Sequence, residues 1–177
     1  TLESTFPLTA LDYGEPWPDP WYVLMAYEVL EHQPCPDDFL LRCYDLIAKD
    51  GLLVIVIPND YNPLQLAAQK KFGLSSYWLA PPQHIFYWTP KTLQLCLRRC
   101  GFQILDMRGT FPIEKKLLEG HNYIGHDDVG RMVHEWRMQD ELQCVARGQW
   151  AQREQEYRVN MQQRIGREIV CIARKET

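Results

Sequence analysis

The amino-acid sequence predicts an α/β fold, and three observations support that prediction. Two apolar runs, at 22–27 and 52–57, have the length and composition of buried strands. A helical pattern lies between them, and a strand pattern at 166–174 closes the chain. A strand, a helix and a strand joined by short loops form a βαβ unit, whose strands are parallel and whose crossover is right-handed.

The first predicted strand, at 22–27, contains no turn residue, so we expect it to be buried on both faces. It is followed closely by Glu28, Glu31 and His32. In open α/β sheets, ligands bind in the crevice at the carboxyl ends of the strands. Two acids and an imidazole at that end therefore indicate a functional site.

A helix and a second strand come next. Asp37 and Asp38 favour a helix start, and apolar residues at helical spacing continue it until just before Gly51. The run 52–57 is rich in β-branched residues and ends at Pro58. These features predict a second fully buried strand.

The middle of the chain continues the alternation. We predict a helix at 63–72 and an aromatic, proline-rich loop at 77–87. Thr89, followed by proline, is a typical N-cap, and the helix that it begins should end at Gly101. The stretch 102–107 alternates like a strand with one wetter face.

A long polar stretch at 127–164 predicts two amphipathic helices that break near Gly148. We expect these helices to form a lid or a dimer surface inserted before the last strand. Together, the predicted strands and helices indicate one domain over residues 1–177.

Composition excludes several classes of function. The net charge of −4 gives no electrostatic reason to expect nucleic acid or an anionic membrane surface. No apolar stretch approaches the roughly 18 residues that span a bilayer. The six cysteines form no CxxC pair and have no zinc spacing, and Cys43, Cys96, Cys100 and Cys171 fit apolar patterns. We expect reduced, mostly buried thiols in a cytoplasmic protein.

Several segments together resemble class I S-adenosylmethionine-dependent methyltransferases, and in particular the ubiquinone-biosynthesis O-methyltransferases. The resemblance covers roughly residues 8–175 and rests on the order and spacing of its parts. Those parts are EVLEH (28–32), DDFLLRCYDLIAKDGLLVIVIPN (37–59), NDYNPLQ (59–65), PPQHIFYWTPKTLQLCLRRCGFQIL (81–105), GTFPIE (109–114) and GREIVCIARK (166–175). One bacterial branch that shares such segments is associated with polysaccharide or small-molecule modification.

The resemblance implies a partial Rossmann-like fold, with parallel strands, an antiparallel C-terminal strand and S-adenosylmethionine as cofactor. The family's glycine-rich turn would lie upstream of Tyr22, and none of the ten glycines forms a GxG. We therefore expect a fragment of a longer enzyme or a natural truncation. This leaves open that the chain is inactive by itself.

Three residues are candidates for contact with the cofactor. The resemblance implies that Asp12 accepts a hydrogen bond from the adenine amino group, and a turn role before Gly14 is the alternative. It also implies that Tyr27 and Glu28 line the cofactor pocket at the tip of the strand.

Glu28, Glu31 and His32 also form a candidate metal site. If the segment is helical, these positions share one face, and two carboxylates with an imidazole suit magnesium, manganese or zinc. Some ubiquinone-pathway relatives use this set to bind a divalent metal. In the alternative, Glu31 and His32 cap and orient the turn.

His84 is the candidate catalytic base. The resemblance implies that its loop covers the acceptor side of the pocket, where an imidazole can take a proton from a hydroxyl acceptor near neutral pH. The alternative is a loop histidine bonded to backbone beside Trp88. Nearby polar and aromatic residues line the acceptor pocket or belong to the core, namely Tyr61, Asn62, Trp78 and Tyr87.

The sequence thus favours an S-adenosylmethionine-dependent methyltransferase domain that acts on a small molecule or saccharide, with a homodimer left open. The alternative is a non-catalytic α/β remnant that associates through an exposed sheet edge. A dinucleotide-dependent enzyme is disfavoured, because the phosphate-binding fingerprint is missing from the sequence.

Overall fold

The computed structural model describes residues 20–176, which build one mixed sheet and its flanking helices. The strands are β1 (Trp21–Tyr27), β2 (Ile47–Pro58), β3 (Phe102–Gly109) and β4 (Glu168–Lys175). The helices are α1 (Pro36–Leu46), α2 (Pro63–Phe72), α3 (Pro90–Arg99), α4 (Glu114–Leu118), α5 (Asp127–Ala146) and α6 (Trp150–Gln162). A 3₁₀ turn (Leu30–His32) follows β1.

The sheet has the strand order β1-β2-β4-β3. β1 pairs with β2 in parallel, and β4 runs antiparallel to both β2 and β3. The predicted α/β fold is therefore confirmed, with a βαβ unit at its start and an antiparallel last strand. The two long helices precede that strand, as the sequence predicts.

Local capping explains why α2 and α3 begin where they do. Asn62 Oδ1 accepts hydrogen bonds from the N–H groups of Leu64 and Gln65, both at 3.0 Å, and the Gln65 side chain accepts one from the Asn62 N–H. Thr89 and Thr92 exchange the equivalent pair at the start of α3. Each capping box satisfies backbone donors that a helix start leaves free.

The main core lies between the sheet and helices α1 and α3. Its buried side chains include Leu40, Cys43, Leu53, Ile55, Ile57, Leu93, Cys96, Leu97, Cys100 and Cys171. The four cysteines predicted to be buried are indeed buried, and none of the six is in a disulfide. They therefore act as small apolar residues.

Two expectations about the first βαβ unit are wrong. β1 is buried on one face only, because Ala26 is 3% exposed whereas its neighbours on the opposite face, Val23 and Met25, are 50% and 67% exposed. Within residues 20–176, β1 is the edge strand of the sheet. α1 ends at Leu46 rather than just before Gly51, because β2 already begins at Ile47.

The helices α5 and α6 lie on either side of Gly148, which adopts a left-handed φ of 68° and lets the chain reverse. α6 is fixed to β3, since the Arg158 guanidinium donates to the Asp106 carboxylate at 2.8 Å. Met161 of α6 reaches the core. No helix in the described part of the chain combines the length and apolar character that a membrane crossing needs.

Candidate active site at the carboxyl ends of the parallel strands

A cavity of about 380 Å³ lies where β1 and β2 end and β4 begins. This is the edge at which open α/β sheets bind their ligands. The lining side chains are Glu28, Pro58, Asp60, Gln65, Tyr77, Trp78, His84, Glu114, Tyr123, Ile124, Arg167 and Glu168.

Glu28 follows β1 directly and turns the chain into the cavity. Its φ of 52° is left-handed, and its N–H donates to the Val56 carbonyl of β2 at 2.8 Å. Its Oε1 is buried and accepts no hydrogen bond from the described residues. Burial, followed by the charges of Glu31 and Glu168, raises the pKa of Glu28 to about 7.

Asp60 occupies the corresponding place after β2. It is 1% exposed, and its Oδ2 accepts a hydrogen bond from the Trp88 N–H at 3.2 Å. Its own N–H donates to the Trp88 carbonyl at 2.9 Å. Burial raises the pKa of Asp60 to about 7, with a smaller contribution from Glu31. Asp60 is not among the site residues predicted from the sequence, although an acid after a buried parallel strand is a usable signal.

Backbone hydrogen bonds hold the aromatic loop against the 3₁₀ turn that follows β1. The Glu31 carbonyl accepts from the N–H groups of Ile85 and Phe86 at 2.9 and 3.1 Å, and the His84 N–H donates to Ala80. His84 thereby lines the cavity, with a buried Nδ1 that has no hydrogen-bond partner among residues 20–176. Burial and the neighbouring His32 lower the pKa of His84. A neutral ring of this kind can accept a proton.

Glu31, His32 and His84 form a compact cluster behind the cavity. The Glu31 carboxylate is fully buried, and His32 Nε2 lies 3.5 Å from its Oε1. His32 Nδ1 lies 2.7 Å from the Gln83 carbonyl, so this nitrogen donates and Nε2 faces the carboxylate. One potential ligand atom from each of the three residues lies within 4.8 Å of the others. This geometry could hold a divalent metal.

Glu28, Glu31 and His32 do not share one helical face. Only the 3₁₀ turn at Leu30–His32 is helical, and the left-handed φ of Glu28 places it outside that turn. Glu28 is not part of the metal-competent group, and His84 takes its place. Sequence spacing could not show this, because His84 comes from a distant loop.

The far wall of the cavity carries another buried acid. Glu114, the first residue of α4, is 2% exposed. Its Oε1 is 3.5 Å from the Gln65 amide nitrogen, and its Oε2 has no hydrogen-bond partner in the described structure. Burial raises the pKa of Glu114. The hydroxyls of Tyr77 and Tyr123 are also buried without a partner. No local pattern in the sequence marks these residues.

The start of β4 completes the wall with Arg167 and Glu168. Asn59, fully buried, fixes this segment because its Nδ2 donates to the carbonyls of Arg164 and Gly166, both at 2.9 Å. Arg167 is exposed and is the one arginine or lysine among the described residues that line the cavity.

Of the four predicted pocket residues, only Trp78 lines the cavity. Tyr61 packs edge to face against Trp78 with 5.5 Å between ring centroids, and Tyr87 packs on Tyr61 at 6.4 Å. Asn62 serves as the cap of α2. Tyr61 therefore supports Trp78 without lining the cavity, and Tyr87 supports Tyr61.

Of the other two proposed cofactor contacts, the structure describes Tyr27 but not Asp12. Tyr27 ends β1 and exposes 60% of its surface, and the charge of Glu168 raises its pKa more than burial does. Asp12 lies outside the described residues.

Comparison with known proteins identifies the family. The sequence model of the methyltransferase domain family matches residues 14–107, which is more than half of the chain. No curated protein matches at a significant level. Three similar solved structures are the (4+2)-cyclase SpnF, a SAM-dependent methyltransferase from Archaeoglobus fulgidus, and phosphoethanolamine N-methyltransferase 2 from Haemonchus contortus in complex with S-adenosyl-L-methionine.

These structural similarities are distant. Identities are 19%, 16% and 13%, and TM-scores are 0.46, 0.49 and 0.45, in the same order. The alignments cover 92%, 88% and 90% of this chain but only 53%, 60% and 34% of those proteins. The chain thus spans about half the length of the first of them.

The family match confirms the predicted class and its cofactor, S-adenosylmethionine, whereas a specific similarity to ubiquinone-pathway enzymes stays a prediction. The matched segment runs from before β1 almost to the end of β3 and includes Glu28, Asp60 and His84. This chain belongs to the methyltransferase domain family, and its sheet is that of a class I S-adenosylmethionine-dependent methyltransferase.

Proposed function

We propose that this protein transfers a methyl group from S-adenosylmethionine to a small molecule or a saccharide. The observation that supports this most strongly is the location of the cavity. It opens at the carboxyl ends of β1 and β2, inside the segment that matches the methyltransferase domain. Its volume of about 380 Å³ suits a small acceptor.

The residues at the end of β1 fit one side of the cofactor. The sulfonium of S-adenosylmethionine is a cation, and the buried Oε1 of Glu28 is an acceptor without a partner in the described structure. Tyr27 beside it offers an exposed aromatic side chain. We assign Tyr27 and Glu28 to this contact and Asp12 to the adenine amino group. When bound, the cofactor supplies an electrophilic methyl carbon.

His84 is the proposed proton acceptor. Methyl transfer needs alignment and exclusion of water more than covalent help from the protein. An acceptor group that carries a proton must still lose it, and a neutral imidazole near pH 7 can take it. The lowered pKa of His84 keeps the ring neutral, and its buried Nδ1 is free to receive the proton.

The helical segment 127–164 is proposed to act as a lid within a single domain spanning 1–177. Tyr123 and Ile124 line the cavity only a few residues before α5 begins. α5 is held nearby, since His121 packs edge to face on Trp136 at 4.8 Å. Movement of α5 would therefore change access to the cavity.

Methyl transfer is tested with the full-length gene product that contains this chain. Incubation with S-adenosylmethionine labelled in its methyl group and a panel of small molecules and saccharides should label an acceptor. S-adenosylhomocysteine should inhibit this labelling. If no acceptor is labelled by folded protein that binds S-adenosylhomocysteine, the proposed substrate class is wrong.

As a second candidate function, His84 could bind a divalent metal together with Glu31 and His32. Metal binding is favoured by the closeness of the three ligand atoms and by a Glu31 carboxylate that accepts no hydrogen bond from the described residues. Manganese binding can be followed by electron paramagnetic resonance, with Glu31→Gln expected to abolish it. A His84 that binds metal through Nδ1 cannot also be the base. Retained activity after chelation therefore supports the base role.

Association through the edge of the sheet is the non-catalytic alternative. Val23, Met25 and Tyr27 lie on the outer face of β1 and are exposed within the described residues, and an apolar edge strand invites pairing. Sedimentation analysis should then show a complex, such as a homodimer, that Met25→Lys dissolves. A monomer that transfers methyl groups would exclude this alternative.

A further inference from the structure

The walls of the cavity are strongly acidic. Glu28, Asp60, Glu114 and Glu168 come from four separate elements or loops, and Arg167 is the single arginine or lysine among the described lining residues. Arg167 is exposed, whereas Asp60 and Glu114 are buried. The cavity therefore favours a positively charged occupant.

The acids keep acceptor atoms free for such an occupant. Glu114 is 2% exposed, yet its Oε2 has no hydrogen-bond partner among residues 20–176, and the same is true of Glu28 Oε1. A buried carboxyl group without a partner is costly to the fold. Both groups line the cavity, so bound cations can satisfy them.

Aromatic side chains form another part of the wall. Tyr77, Trp78 and Tyr123 line the cavity together with the acids. Aromatic faces attract cations, and this attraction strengthens when water is excluded. An acidic and aromatic cavity is chemically matched to an ammonium group. It is poorly matched to a carboxylate, which the acids would repel, and to a neutral alcohol, which would leave their charge uncompensated.

We propose that the methyl acceptor is an amine, free or on an amino sugar, which enters the cavity as an ammonium ion held by Asp60 and Glu114, while Glu28 faces the sulfonium of the cofactor. This rests on the proposed methyl transfer and narrows its substrate class. It also replaces the expected hydroxyl acceptor.

The reaction balances with the groups at hand. The ammonium ion first gives one proton to His84 and becomes a neutral amine. The nitrogen lone pair then forms a bond to the methyl carbon, and the carbon–sulfur bond breaks with its electron pair passing to sulfur. The sulfonium becomes a neutral thioether, and the product is a methylated ammonium ion whose positive charge the acids still offset.

Choline and 3,3-dimethylbutan-1-ol are a matched pair of probes, since they share a shape and differ in one positive charge. Their binding to the full-length protein is measured by calorimetry at pH 7. We expect choline to bind at least tenfold more tightly than the alcohol.

Asp60→Asn and Glu114→Gln should each reduce the preference for choline. Asp45→Asn is the control, because Asp45 is an exposed acid on α1 far from the lining residues. Circular dichroism verifies that each variant is folded. An unchanged preference in both folded variants would overturn the assignment.

Other results also decide the matter. Equal affinity for the two probes, tighter binding of the alcohol, or no binding of either would overturn the amine assignment. Magnesium that binds tightly and displaces choline would reassign the acids to a metal. Titration with S-adenosylhomocysteine separates the two proposals. A protein that prefers choline but ignores S-adenosylhomocysteine has the cation site without the methyl transfer.

Discussion

The imidazole rings of His32 and His84 meet edge to face, with 4.9 Å between their centroids. His32 follows β1, whereas His84 belongs to the aromatic loop and lines the cavity. This contact therefore joins the end of the strand to the loop. It places His84 between two groups, the buried Glu31 carboxylate and the acidic cavity. Both proposed roles of His84, base and metal ligand, follow from this position.

Replacement of His84 tests its role as the base. We expect His84→Ala to lower kcat about 100-fold, which is typical for loss of a general base, while the affinity for S-adenosylhomocysteine is unchanged. His134→Ala, at an exposed position of α5, is the matched control. If turnover by His84→Ala equals that of the wild type, His84 is not the base.

Stability should fall as the pH rises through neutrality. Burial raises the pKa of Glu28 from 4.5 and of Asp60 from 3.8, in both cases to about 7. The folded state therefore binds more protons than the unfolded state over this range. The stabilisation is fully present below the unfolded pKa values and is lost as the pH passes about 7.

Thermal unfolding between pH 4.5 and pH 8 measures this effect. We expect Tm to fall by about 5 °C or more over that range. Glu28→Gln should flatten the curve, and Asp45→Asn should leave it unchanged. Asp106 does not affect this measurement, because its arginine partners lower its pKa. The stabilisation that Asp106 contributes is therefore lost only at more acidic pH. A Tm that rises towards pH 8 would contradict the prediction.

Asn59 should be important for stability. It donates to two backbone carbonyls that precede β4, those of Arg164 and Gly166, and Asn59→Ala removes both hydrogen bonds. We expect this change to lower the free energy of unfolding by about 1–3 kcal/mol, as measured by urea denaturation. Gln152→Ala, an exposed change on α6, is the control. Equal stability of the two variants would show that the Asn59 bonds do not hold this segment.

The thiols should differ sharply in reactivity. Cys35 is exposed and the other cysteines are buried. Burial raises the pKa values of Cys43, Cys96 and Cys171 to about 12, and the thiolate is the reactive form. Iodoacetamide labelling followed by mass spectrometry should modify Cys35 in the native protein and all six thiols after unfolding. Rapid labelling of native Cys171 would contradict the packing of β4.

The sequence was most informative where local interactions decide the structure. The bounds of α2 follow from its proline and from the capping pair of Asn62 and Gln65, so pattern alone located them. The apolar run that forms β2 marked a central strand for the same reason. The break at Gly148 was visible because glycine ends α5.

Long-range packing set the limits of prediction. An apolar strand pattern cannot show whether one or both faces are covered, so the exposure of Val23 and Met25 on β1 was missed. Glu114 lies on α4 far along the chain, and only the folded sheet brings it opposite Glu28 in the cavity. Likewise, only the folded structure brings His84, rather than Glu28, close to Glu31 and His32.

Calorimetric titration of the full-length gene product with S-adenosylhomocysteine tests the central claim of methyl transfer most directly. We predict one site per chain with a dissociation constant of about 1–100 µM, within the usual range for such ligands, and competition by S-adenosylmethionine. The absence of binding heat from folded protein, together with no change in Tm on addition of the ligand, would contradict the account.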